Sequence, residues 1–264
     1  MLAFTKAHAF GNDFLYVKAS DAPVGDPASL AVRLCDRHYG IGADGLILYT
    51  PTPRGAAMKL LNADGSAAEL SGNGLRGLAA ILARSRGARR GAILEIETAA
   101  GLKRLELLGL DAGRPLFAAD MGQPADIRRV TLDAAEERVT ATVLSIGNPQ
   151  CVVLGPLPDA DRFARLGPAL ERHAAFPDGT NVEFATVEAP DRVRILIWER
   201  GVGPTQSSGT GSCAAAIAAA AHGGASTSVD VVAPGGTQRV EWTDAGVRLT
   251  GWAEIVAEGT CLLE

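Results

Sequence analysis

Histidine, cysteine and aromatic residues are scarce in this chain of 264 residues. It holds four histidines, four cysteines, three tryptophans, three tyrosines and seven phenylalanines. The cysteines, at 35, 151, 213 and 261, stand too far apart for a zinc site and are too few for a disulfide scaffold. Neither a cysteine zinc site nor a disulfide framework is therefore expected. No apolar run is long enough to cross a bilayer, since the Ala-rich stretch 213–221 falls well short. The N-terminus lacks a charged region followed by an apolar run, so no signal peptide is expected. A basic stripe interleaved with aromatics is also missing, and the net charge is −5, which argues against nucleic acid as a partner. The arginines from Arg84 to Arg90 read as the solvated end of a helix. What remains is a cytoplasmic chain with reduced thiols and no membrane partner, 47% apolar and 21% charged, with core enough for two modest lobes.

What the chain does have is a repeat. One stretch runs from Asn62 through Ala-Asp-Gly-Ser to Ser71-Gly72-Asn73-Gly74, and a second from Glu199-Arg200 to Ser208-Gly209-Thr210-Gly211. Both continue into small apolar residues, Leu75–Ala83 and Cys213–Ala221. The serines at 71 and 208 lie 137 positions apart, as do Asn62 and Glu199, while Gly11-Asn12 and Gly147-Asn148 lie 136 apart. That offset is close to half the chain and predicts two similar lobes whose Ser-Gly-x-Gly turns meet across a cleft.

A Ser/Gly turn opening a helix has a physical use. The first backbone N–H groups have no partner inside the helix, and the helix dipole adds partial positive charge there. Glycines let the chain approach a ligand, so such an end suits a carboxylate or phosphate. A single copy is explained as well by an ordinary serine N-cap. Two copies in register favour a pair of anion-holding turns.

Apolar periodicity predicts strands at 2–6, 13–19, 46–49, 57–61, 93–98 and 102–108, with helices from Pro27 to near His38 and after Ser71. Asp111–Pro115 is the candidate boundary. Beyond it come strands at 116–121, 138–146, 151–154, 182–187 and 193–198, a helix at 159–173, the Ala-rich helix and four short strands. The expected fold is α+β: two pseudo-symmetric lobes, each a strongly curved, mostly antiparallel sheet wrapped around a central helix. The expected domains are 1–115 with a returning strand in 251–264, and 116–250.

These motifs resemble the diaminopimelate epimerases over nearly the whole chain. The resemblance is carried by His8–Phe14, Leu34–Gly45, Asn62–Ser66, Gly72–Arg76, Gly147–Pro149, Trp198–Gly203 and Gly209–Gly211, in that order and spacing. It implies an isomerase that inverts the Cα of LL-diaminopimelate to the meso form, for lysine and cell-wall precursors, without pyridoxal phosphate or metal. Carried over by position, Asn12, Asn62, Asn73, Asn148, Asn181 and Arg200 would hold substrate. Gly72, Gly209 and Thr210 would receive the α-carboxylate, and Glu199 would assist one catalytic group. The resemblance also favours a homodimer, for which strand-rich lobes supply edges.

The chain departs from the family where the chemistry lies. Family members carry cysteine at the positions of Ser71 and Ser208, and usually histidine at that of Gln150. A thiol ionises near pH 8.5 and a water-like hydroxyl near about 15.7. Preparing an alkoxide in place of a thiolate therefore costs on the order of 10 kcal/mol at neutral pH. Two helix dipoles recover about 1 to 4 kcal/mol of that. Serine acts as a base only beside a group that takes its proton, and His8 and His38 are better read as structural. Four readings stay open: serines introduced in the laboratory to trap a complex, a natural epimerase of low activity, an isomerase or dehydratase of another small carboxylate using Glu199 or Asp44, and a non-catalytic amino-acid binder.

Overall fold

Short alternating segments closed by tight turns build most of this chain into strands. The computed structural model describes residues 1–262. By internal contacts the chain divides into two compact units, Met1–Ala119 with the chain from Gly251 onward, and Asp120–Thr250. Of the segment 251–264 expected to return to the first lobe, residues 263 and 264 lie outside the described residues.

In the first unit, β1 (Leu2–Ala9) and β2 (Asn12–Lys18) form a hairpin with Ala9 opposite Asn12. Both turn residues are left-handed, Phe10 at φ 55° and Gly11 at φ 85°, as a two-residue hairpin requires. Helix α1 (Pro27–Cys35) then carries the chain over to β3 (Gly45–Thr52), which runs parallel to β2. Asp26 caps α1 by accepting from the N–H groups of Ala28 and Ser29, each at 3.1 Å. The helix stops at Cys35, short of the expected His38, because Asp36 turns out of the helix and its carboxylate takes the N–H groups of His38 and Tyr39 at 2.7 Å. β4 (Gly55–Asn62), the short β5 (Ala67–Ala68), helix α2 (Gly72–Arg86), β6 (Ile93–Thr98), β7 (Gly101–Asp111) and β8 (Arg114–Gly122) follow. β4 is antiparallel to β3, and β6 returns parallel to β4. Asp111–Arg114 closes the β7–β8 hairpin, so the division falls within β8 and not at the expected turn.

The second unit repeats these pairings. Its elements are β9 (Ala125–Ala134), β10 (Glu137–Ser145), β11 (Pro149–Leu154), α3 (Ala160–Glu171), β12 (Asn181–Ala189), β13 (Arg192–Glu199), β14 (Gly203–Thr205), α4 (Gly209–Ala218), β15 (Ser228–Ala233), β16 (Gly236–Thr243) and β17 (Gly246–Trp252). β10–β11 is antiparallel, β11–β12 parallel, β12–β13 antiparallel and β13–β15 parallel. The last strand, β18 (Glu254–Cys261), belongs to the first unit and lies antiparallel to β1, as β9 lies antiparallel to β10 in the second. No strand is expected at 125–134 from the sequence. That edge strand has mostly exposed positions, so its apolar alternation is faint.

Each unit encloses one helix of small residues. Gly72–Ala83 of α2 and all of α4 are buried. The small side chains let strands close on the helix from several sides. A Cβ added to Gly77 would lie 2.0 Å from the Tyr16 hydroxyl, which donates to the Gly74 carbonyl at 3.0 Å. α4 passes into a π-helical turn, Ala219–Gly223, closed by Gly224 at φ 77°. Outside the sheets, α1 packs Ala31 and Leu34 on the first unit's core, and α3 packs Leu166 and Leu170 on the second's. Truncating one such buried leucine to alanine removes about 2 to 5 kcal/mol. Among the described residues no helix is long and apolar enough to cross a membrane.

Candidate functional site

Both repeated turns fold as serine N-caps. Ser71 has extended φ/ψ of −132° and 119°, and its Oγ accepts from the Gly74 N–H at 3.1 Å. Ser208 has −135° and 130°, and its Oγ accepts from the Gly211 N–H at 3.1 Å. The hydroxyls thus sit at equivalent places, each satisfying one N–H of the first turn. The first N–H groups of any α-helix have no carbonyl one turn earlier to bond, which makes each of these ends suited to an anion.

Around Ser71 the polar side chains form a chain ending on carboxylates. Arg76, wholly buried, donates to Asn73 Oδ1 and lies 5.5 Å from the centre of the Phe10 ring. Asn73 Nδ2 donates to Asn12 Oδ1 at 3.1 Å, and Asn12 Nδ2 donates to Asp44 Oδ2 at 2.7 Å. Arg37 Nη2 bridges Asp44 Oδ1 at 2.8 Å and Asp13 Oδ1 at 2.7 Å, and Lys6 pairs with Asp13 at 3.0 Å. Burial raises the Asp13 pKa, but hydrogen bonds and charges from Arg37 and Lys6 outweigh it and hold it below the usual carboxylate range. Asp44, weighed from sequence as a base, is therefore engaged by Arg37, Asn12 and the Asp13 N–H. Asn62 ends β4, half-buried, and donates to Ser66 Oγ at 2.9 Å.

Around Ser208 the surroundings are more deeply buried. Thr210 Oγ1 lies 3.5 Å from Ser208 Oγ and accepts from Asn148 Nδ2 at 3.3 Å. Gln150, 1% exposed, sits between Asn148 and Glu183. Behind the cap, Gln238 Nε2 donates to Ser207 Oγ and Ser212 Oγ, both at 3.1 Å. Asn181 is not free for a ligand: its Nδ2 donates to the Pro149 carbonyl at 3.1 Å and its Oδ1 accepts from the Arg200 N–H at 3.0 Å. It ties the Gly147–Pro149 turn to the Glu199–Arg200 turn. Arg200 is half-buried, with Nη1 donating to the Asp178 carbonyl at 3.2 Å, and Glu199 is half-buried at the end of β13.

The sequence did not single out Glu183, Gln238, Ser212, Asp178 or Lys6, and it carried Asp13 and Arg37 only inside longer motifs. Glu183 carried a usable signal, a carboxylate two residues after Asn181 on the same strand face, between Val182 and Phe184. The histidines are engaged elsewhere. His8 Nδ1 accepts from the Gly11 N–H at 3.2 Å and Nε2 lies 3.7 Å from Glu254, while His38 is on an exposed turn. Burial, followed by the charges of Asp13 and Asp44, pushes the Cys35 thiol up to about 12, and burial raises that of Cys151 as well, so neither supplies a thiolate near neutral pH. Among the described residues, no cluster of three or more His, Cys, Asp or Glu is arranged to hold a metal.

Comparison with known proteins places these clusters in context. The diaminopimelate epimerase family profile matches residues 4–126 and 142–256. A diaminopimelate epimerase of Desulforudis audaxviator is 43% identical over 275 residues, covering 98% of each chain, and one of Pelotomaculum thermopropionicum is 39% identical over 97% of each. Among solved structures, a protein described as a predicted epimerase from Pseudomonas aeruginosa superposes with a TM-score of 0.80 at 16% identity over the whole of both chains. A hydroxyproline epimerase from Agrobacterium vitis gives 0.72 at 18% identity, over 98% of this chain and 90% of that one. The fold is thus that of the two-lobed epimerases and racemases, in the α+β class.

Proposed function

We propose, given that this chain belongs to the diaminopimelate epimerase family, that it binds diaminopimelate and inverts its Cα slowly, with serine at both proton-transfer positions. The family makes it an epimerase that works without a cofactor. The observation that carries the rest is the duplicated cap. Ser71 and Ser208 hold closely similar φ/ψ and the same 3.1 Å bond to the third residue of their helices. In our reading the N-termini at Gly72-Asn73 and Gly209-Thr210 receive the α-carboxylate. Asn12, Asn62, Asn148 and Arg200 hold the remaining polar atoms, and Asn181 acts by fixing the Arg200 backbone.

Inversion needs a base on one face of Cα and an acid on the other. Ser71 serves one face and Ser208 the other, with Glu199 as the charged neighbour of the second. A hydroxyl is a far poorer base than a thiolate, so binding survives while proton removal limits the rate. We further propose that the protein works in the cytoplasm, as a homodimer, in lysine synthesis. Calorimetry with LL- and meso-diaminopimelate, lysine and proline tests the substrate: diaminopimelate should bind most tightly. Equal or absent binding of diaminopimelate would reject the assignment.

A second reading is favoured by Glu199. It lies half-buried at the end of β13, in the repeat position matched by Asn62. Glu199 as base would suit isomerisation of another small carboxylate. A panel of other carboxylates, scored for exchange of their carbon-bound hydrogens, distinguishes the two.

A further inference from the structure

Glu171 is the last residue of α3 and is only 6% exposed. Its side chain meets the β13–β14 hairpin on both sides of Arg200. Oε2 accepts from the Trp198 indole Nε1–H at 2.8 Å, and Oε1 accepts from the Gly201 N–H at 2.9 Å. Its backbone carbonyl accepts from the Thr180 N–H at 3.0 Å, which folds the chain after α3 back toward the helix end. The Arg200 side chain lies on that returning segment. A Cβ on Gly179 would stand 3.2 Å from Arg200 Cδ, and Arg200 Nη1 donates to the Asp178 carbonyl at 3.2 Å. One residue therefore holds both the turn that carries Arg200 and the segment its side chain rests on.

The helix is shaped to bring these groups together. A Cβ on Gly167 would stand 2.5 Å from Trp198 Cδ2, so the glycine lets the indole lie against α3 with its N–H at Glu171. Phe163, one turn earlier, meets the same ring edge-on with centroids 5.7 Å apart. Two N–H donors need two acceptor oxygens. A carboxylate offers both, whereas the NH2 of an amide would face one of the donors. We propose that Glu171 is a positioning residue, whose carboxylate grips Trp198 and Gly201 at once and so seats Arg200 for its ligand contacts. This rests on the reading of Arg200 as a residue that holds substrate. Asn181 supports the same turn from β12, but through the Arg200 N–H itself, at 3.0 Å. Glu171 acts on the residues flanking it.

Calorimetry of the full chain with diaminopimelate, beside NMR of the Trp198 indole and Gly201 N–H groups, tests this. Glu171→Gln keeps the size of the side chain but gives oxygen to only one of the two donors. It should weaken binding about tenfold and move one of those two N–H signals upfield. Added to Arg200→Ala it should weaken binding no further, because the turn then has no guanidinium left to seat. A merely structural Glu171 would lower the melting temperature in both backgrounds without that non-additivity. Additive losses, or parental affinity in Glu171→Gln while Arg200→Ala binds weakly, would overturn the proposal alone. Parental affinity in Arg200→Ala would remove Arg200 from the site and the role of Glu171 with it. Should Glu171→Gln fail to fold, Trp198→Phe decides. It keeps a ring against Gly167 and removes the indole donor, so severalfold weaker binding supports the proposal and parental affinity overturns it.

Discussion

The two serine-capped helices begin alike and differ in what stands behind them. At Ser71 the hydrogen bonds run away from the helix, from Arg76 to Asn73 to Asn12, and end on Asp44, an acceptor held by Arg37. At Ser208 the amides of Asn148 and Gln150 and the Thr210 hydroxyl stand between the cap and the buried Glu183. In the register that matches Gly11-Asn12 with Gly147-Asn148, the counterpart of Glu183 is Ile47, which lies against Gly74 as Glu183 lies against Gly211, and that of Gln150 is Phe14. One repeat thus places apolar side chains where the other places a buried acid and its amide neighbour. An inversion catalyst has reason to hold its two ends differently, since in a given direction one takes a proton and the other gives one. A shared backbone supplies the caps, and the residues behind them supply the difference.

Replacing both serines by cysteine probes that comparison most strongly. Ser71→Cys with Ser208→Cys should raise epimerisation by about a thousandfold or more, because several of the roughly 10 kcal/mol separating alkoxide from thiolate are recovered and each 1.36 kcal/mol is a factor of ten. Either single change should gain far less. An equal gain from one cysteine alone would mean that only one repeat handles protons. Arg200→Ala comes next, with a loss of about 1.5 to 3 kcal/mol in calorimetric binding of diaminopimelate; unchanged affinity would remove Arg200 from the site.

Gly77→Ala forces a methyl onto the Tyr16 hydroxyl, 2.0 Å from the ideal Cβ, and should lower stability by about 1 to 3 kcal/mol in a denaturant titration. It acts through the first unit, so the Trp198 indole signal should not move with it.

The smallest expected effect is on pH dependence, and its sign differs between the units. Asp13 is held below its unfolded value, so its contribution is present above about pH 4 and lost as the pH falls through its folded pKa. Glu183 is held above its unfolded value, so its contribution is full below about pH 4 and declines as the pH rises through the folded pKa. Asp13→Asn should flatten the limb of a stability profile below about pH 4 and Glu183→Gln the decline above it. A single limb altered by both variants would deny the two clusters their separate characters.

Much of this was legible in the residues. The 136–137 offset pointed to the matched caps, and Pro27, Asp26 and the Ser-Gly turns marked where helices begin. β9 was not legible, because an edge strand such as Ala125–Ala134 exposes most of its side chains and loses its alternation. Asn181 was assigned to the substrate by likeness, yet its amide is spent on the Pro149 carbonyl and the Arg200 N–H, bonds between segments that no local pattern reveals. Glu183 was overlooked for a related reason. Both glutamates of β12, Glu183 and Glu188, read as solvent-facing until the helix against Glu183 is seen.

The central claim is that this chain holds diaminopimelate but lacks the thiols that make proton removal fast. It is tested most directly by following Cα hydrogen exchange of bound diaminopimelate in deuterated water by NMR, with the unaltered chain beside a cysteine-bearing relative at saturating substrate. The account predicts saturable binding with exchange at least about a thousandfold slower than in the relative. Exchange at a comparable rate would contradict it, since the serines would then have an alkoxide-forming partner that neither cluster contains.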